Sequence, residues 1–231
     1  MAFSDDAEIS RRRFLLDRPV RSGPVEVSRF RPLDGTVYGD VLAHCRAPHT
    51  GNSRSTNAHE TAHVIASSLR SPGWNGFYLG GGRGYLLPEP AMRLQDVRVP
   101  KKHRGWRHDT YLVDQRRWWN DRPLYLVDEW VAYLTGASVA LDDHLAGRGT
   151  EKSDCVAGCH EFMVYCDYLR QQLPTNYDTE AFDSLFWGLV DRTMQVYEAG
   201  REVFRSARSD RLAEAYDPPR KPELGAWRIE L

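Results

Sequence analysis

The chain has 231 residues, 41% of them hydrophobic and 27% charged, with a formal net charge of -1. That size and composition suit one globular domain with a sizeable core, and the near-neutral balance argues against a globally basic nucleic-acid binder. No apolar run approaches the roughly 20 residues that span a bilayer.

The N-terminus carries "SRRRFLL" at residues 10–16, which resembles a twin-arginine export signal, but "DRPVRSGPVEVSRF" follows in place of an apolar stretch. It reads as an ordinary basic segment. The cysteines, Cys45, Cys155, Cys159 and Cys166, are too few and too clustered for a secreted disulfide framework, so a cytoplasmic protein is expected. Residues 1–24 read as an irregular extension, residues 25–217 as one domain and residues 218–231 as a proline-rich tail.

Residues 25–46 alternate enough to suggest two short strands around Asp34-Gly35. A polar loop follows, then a helix over about 56–70, whose core face is Ala58, Ala62, Ile65 and Leu69 and which Ser71-Pro72-Gly73 stops. "GFYLGGGRGYLLPEP" reads as a hairpin with Phe77–Leu79 and Tyr85–Leu87 flanking a glycine turn, and "MRLQDVRV" as a further strand. Residues 123–146 form an apolar helix opened by Pro123, with a bend expected near Gly136. Two more helices follow, at about 153–173 and 178–206, the second strongly amphipathic through Phe182, Leu185, Phe186, Leu189 and Val190. The order predicts an α+β fold with a small mixed sheet and a mainly helical C-terminal half.

The chemistry concentrates in "HETAH", residues 59–63. Residues four apart on a helix share a face, so His59 and His63 can aim at one zinc ion. Glu60 is turned by about 100° from that face. It does not ligate the metal there, but it can reach a water on the metal and act as general base. A catalytic zinc needs a third protein ligand. A histidine six residues after His63 is ruled out, because that position is Leu69. Glu129 is the best candidate: a carboxylate on a buried helix is costly unless it is paired or metal-bound. Ala132, Gly136 and Ala140 follow it as a small-residue stripe that permits close helix packing. Asp128 is the local rival, or a partner that orients a histidine.

Through "HETAH" and "DEW" (128–130), over residues 55–146, the chain resembles the gluzincin clan of zinc metallopeptidases. The resemblance implies a zincin-like fold and one zinc per chain on His59, His63 and Glu129. It also implies Glu60 as base and a peptide or protein substrate. The chain departs from thermolysin-like members at Tyr133, where they carry an aspartate four residues after the glutamate ligand.

A donor for the developing oxyanion is also needed. His103, His108, Tyr111, Tyr125, Tyr133, His160 and Tyr177 are available, and Tyr125 and His108 are favoured for proximity to the Glu129 helix. The hairpin glycines Gly80–Gly84 are expected to border the cleft. Cys155, Cys159 and Cys166 share one helical face and read as core. Lys101, Lys102, Arg104 and Arg107 with Trp106, Trp118 and Trp119 form a basic, aromatic segment of the kind that holds phosphate and stacks bases. The expected function is zinc-dependent peptide-bond hydrolysis. Two rivals are a catalytically inactive binding protein on the same fold and a nucleic-acid module with an incidental HExxH.

Overall fold

The computed structural model describes residues 21–27, 35–148, 154–201, 203–204 and 207–217. They form strand β1 (Gly23–Glu26), helices α1 (Val37–Ala43) and α2 (Arg54–Leu69), and the hairpin β2 (Trp74–Gly80) and β3 (Arg83–Pro88). Short 3-10 turns and a π-helical segment, Asp109–Asp114, lead to the single-turn helix α3 (Arg116–Trp119). The helices α4 (Tyr125–Leu145), α5 (Cys155–Gln171), α6 (Thr179–Arg201) and α7 (Ala207–Ala215) complete the chain. The architecture is α+β and mainly helical.

The expected mixed sheet is antiparallel throughout its described strands, in the order β1-β3-β2. Two expected strands are absent from it. Residues 37–43 are helical because the Thr36 hydroxyl accepts the Gly39 N–H at 3.0 Å and the Asp142 carboxylate accepts that of Val37 at 3.1 Å. Residues 92–99 hold a 3-10 turn, Leu94–Asp96, closed by the Asp96 carboxylate on the Arg93 N–H. Leu94, Val97 and Val99 are nonetheless buried, which gave the segment its strand-like pattern. The long last helix ends at Arg201, and α7 is separate. The tail at 218–231, most of the extension at 1–24 and the middle of the segment at 25–46 lie outside the described residues.

Helix α2 is the middle layer. Its Ala58, Ala62, Ile65 and Leu69 are buried, and Ile65 joins Val41 of α1 and Tyr78 of β2 in a small cluster. The opposite face packs on α4, which meets α5 and α6 in the main core. Cys155, Cys159 and Cys166 lie in that core, unbridged. Helix α4 runs unbroken through Gly136. A Cβ there would stand 2.8 Å from the Cys155 sulfur and 2.9 Å from the Ser55 carbonyl oxygen, so the glycine sets how closely α4 approaches α2. Gly136→Ala should therefore cost about 1–3 kcal/mol of overpacking despite alanine's better helix propensity. Chemical denaturation measures this, and a stability equal to wild type would show that the helices separate freely.

Glu89, just after β3, ties the hairpin to the start of α4. Its carboxylate accepts from the Asn75 side chain and from the Leu124 N–H at 3.4 Å. Burial raises its pKa to about 7 despite those hydrogen bonds and the nearby Arg122 and Arg70. The folded value lies above the unfolded one. The stability it brings is thus complete below the ordinary glutamate range and is lost as pH rises through about 7. Glu89→Gln should raise the melting temperature at pH 8 by a few degrees and far less at pH 5. An equal change at both pH values would remove this assignment.

Candidate metal centre

Helices α2 and α4 run antiparallel, pinned by Arg54 Nε to Asp143 at 2.9 Å at one end and by Arg70 Nη2 to Asp128 at 2.6 Å at the other. The Ser53 hydroxyl caps α2 on the Thr56 N–H. Between the pins, His59 and His63 of α2 face Glu129 of α4. The two Nε2 atoms are 3.3 Å apart. Glu129 Oε2 lies 3.7 Å from His59 Nε2, and Oε1 lies 3.6 Å from His63 Nε2. Ligand atoms held tetrahedrally about 2.0–2.2 Å from zinc stand about 3.3–3.6 Å from one another, and one ligand atom from each of the three residues lies within 4.8 Å of the other two. Among the described residues this is the only group of His, Cys, Asp and Glu side chains close enough to hold a metal ion.

The surroundings fit a cation. Asp128 and Glu129 are both 5% exposed, adjacent on one helix. Asp128 Oδ2 is satisfied twice, by His63 Nδ1 at 2.9 Å and by Arg70. Glu129 Oε2 is buried without a hydrogen-bond partner, a costly arrangement for a carboxylate oxygen. Burial disfavours a charged His63. The hydrogen bonds and charges of Asp128 and Glu129 outweigh it and hold the imidazole well above its ordinary range. Burial, then the charges of His63 and Arg107, hold His59 well below it. The two carboxylates thus favour a protonated His63, with Arg70 also paired to Asp128.

Glu60 is half-buried on the neighbouring face and makes no hydrogen bond or ion pair with another described side chain. Tyr125 lies close to Glu129: burial raises its pKa and the Glu129 charge adds to this, while its hydroxyl donates to Gln115 at 2.9 Å. His108 makes its contacts with Asp109 and Tyr165: its Nδ1 bonds Asp109 at 2.9 Å and its ring faces Tyr165. The hairpin turn bonds elsewhere too, with the Gly81 N–H donating to Asp40 and Arg192 donating to the Leu79 carbonyl.

Tyr133 stands edge-on to His59, with ring centroids 4.5 Å apart, and its hydroxyl is 3.0 Å from that of Tyr111. Gly158 of α5 admits the ring, since a Cβ there would lie 2.1 Å from it. Where thermolysin-like proteins carry an aspartate, this chain thus has an aromatic wall, and the carboxylate that bonds a histidine is Asp128. Behind Tyr133 lies Arg107, fully buried, its guanidinium 4.7 Å above the ring. Arg107 donates to Glu161 Oε1 at 2.8 Å and pairs with Asp154 at 2.6 Å. It is thus no phosphate ligand, and Trp119 is stacked on Tyr125 at 4.2 Å. Within the basic, aromatic segment at 101–122, Arg107 and Trp119 are thus engaged by other groups of the protein.

Sequence reasoning did not find Arg70 or the Arg107–Glu161 pair. Arg70 follows His63 by about two helical turns, which places it on the same side of α2. Nothing local marks Arg107 or Glu161. No helix of the described residues is long and apolar enough to cross a membrane. No family model, curated protein or solved structure matches the chain, so the centre is judged on its own geometry.

Competition against a zinc chelator should show Glu129→Ala losing zinc most severely. Asp128→Ala should weaken it about 10- to 100-fold through loss of the His63 orientation. If Asp128→Ala loses zinc while Glu129→Ala retains it, the third ligand is the wrong one of the two.

Proposed function

We propose that this protein is a zinc-dependent hydrolase of peptide bonds, a metallopeptidase of the gluzincin kind. His59, His63 and Glu129 hold one zinc per chain, and Glu60 is the general base. The observation that carries this reading is the grouping of His59, His63 and Glu129 ligand atoms within 4.8 Å of one another, with a buried Glu129 oxygen that has no hydrogen-bond partner among the described residues. When bound, zinc supplies a Lewis acid for the substrate carbonyl and acidifies the attacking water.

The protein's own groups supply the rest. Asp128, held by Arg70, accepts from His63 Nδ1 and so presents Nε2 to the centre. Glu60 takes a proton from the attacking water as its oxygen bonds to the carbonyl carbon. Glu60 then passes the proton to the amine nitrogen as the C–N bond breaks. Tyr125 is the proposed donor to the developing oxyanion, since it approaches the centre from the Glu129 side and stays protonated there. His108 ranks behind it for that role, because its Nδ1 is bonded to Asp109. Tyr133 closes the His59 side against water.

Elemental analysis of protein purified without chelator should find one zinc per chain. A peptide-library digest should show cleavage that Glu60→Gln reduces by about 10²- to 10⁴-fold with zinc retained. A Glu60→Gln variant as active as wild type would overturn the mechanism. Metal-replete protein without tightly bound zinc would overturn the function.

A further inference from the structure

A cavity lies apart from the candidate metal centre. Lys102, Arg104, Gly105, Trp106, Arg211 and Leu212 line it, and its volume is about 380 Å³, within the range that holds small ligands. Among the described residues its lining carries three cations, of which Arg104 is held by its Nε on the Val99 carbonyl at 2.9 Å, and no carboxylate. Its walls are tied together. His103 Nε2 bonds the Ala215 carbonyl at 2.9 Å and its ring stands against Tyr216, which joins the 101–106 segment to the end of α7. Tyr216 in turn donates to Asp167 of α5 at 2.7 Å. The Gly105 N–H donates to Tyr165 at 3.0 Å, and Leu212 is buried below.

Trp106 gives the cavity its character. The Arg107 guanidinium covers the indole at 4.4 Å, and Arg107 is itself fixed by Glu161 and Asp154. The indole is still 48% exposed. An immobilised ring with an open surface beside Lys102, Arg104 and Arg211 suits a ligand with a planar ring and an anionic group. Stacking on aromatic side chains tolerates any base, and the cations match phosphate.

We propose that this cavity binds a nucleoside monophosphate, with the base stacked on Trp106 and the phosphate held by Lys102, Arg104 and Arg211. The size of the cavity favours one nucleotide over a strand, and the burial of Arg107 and the stacking of Trp119 break the basic track a strand would follow.

Titration calorimetry on the full chain with AMP, adenosine and inorganic phosphate tests this. AMP should bind with a Kd of about 0.01–1 mM, and adenosine and phosphate each at least about tenfold more weakly. Trp106→Ala should weaken AMP by about five- to hundredfold. Arg104→Gln, exposed and outside the core, should also weaken it by about tenfold and serves if Trp106→Ala does not fold. Zinc content should stay unchanged in both, which separates this site from the metal centre. Failure of AMP to bind, or AMP affinity unchanged by Arg104→Gln, overturns the proposal. Phosphate binding as tightly as AMP would leave the indole unused and overturns it too. A single-stranded oligonucleotide binding more than about tenfold tighter than AMP would assign the surface to nucleic acid instead.

Discussion

The close antiparallel contact between α2 and α4 is the constraint on which the rest depends. Gly136 lets the two backbones approach until the Ser55 carbonyl oxygen and the His59 side chain touch its edge. The pins at Arg54–Asp143 and Arg70–Asp128 then fix the register. With separation and register set, His59 and His63 have one possible partner surface, and it carries Asp128 and Glu129. A larger residue at 136 would widen the gap on the scale of the distances between these groups. The apolar face of α2 is what keeps it there: Ala58, Ala62, Ile65 and Leu69 are buried against the sheet side, so the helix cannot rotate its histidines away without exposing them.

Two neighbouring carboxylates, equally buried, have opposite fates. Asp128 receives a histidine N–H and a guanidinium on one oxygen. Glu129 keeps an oxygen with no donor. A protein interior tolerates the first arrangement as an ordinary charged network, whereas the second is costly among the described residues. That asymmetry distinguishes the two carboxylates where the sequence does not, since both are acidic residues on the same apolar helix, and it is what the proposed ligand role of Glu129 rests on. The two carboxylates also raise the pKa of His63, which with Arg70 is one of the cationic groups beside them.

What was legible in the sequence follows from range. The α2 and α4 helices, the hairpin and the facing of His59 with His63 depend on periodicity within one element, and each appears within a few residues of its expected bounds. The Glu129 placement was legible because burying a lone carboxylate is expensive enough to need a reason. Residues 37–43 were misread because alternating apolar positions resemble a strand, while the deciding contacts, the Thr36 cap and the reach of Asp142 from α4, come from outside the pattern. The strand expected at 92–99 failed likewise, because burial at 94, 97 and 99 arises from packing of a turn. Zincin-like geometry beyond the centre is a resemblance of motifs. The structure itself shows a small antiparallel sheet and a helical body.

Arg107 illustrates the limit most clearly. In sequence it belongs to a basic, tryptophan-bearing run, and its neighbours Lys102 and Arg104 are exposed. Folded, it is wholly buried, with its guanidinium over Trp106 on one side and over Tyr133 on the other. Glu161, 54 positions away, makes that burial affordable by accepting from both its backbone and its side chain. Tyr133 in turn stands against His59. One buried, paired cation therefore lies against both Trp106, which lines the basic cavity, and Tyr133, which stands beside the candidate metal centre. A shift of either ring would disturb its contact with a guanidinium held by a buried ion pair.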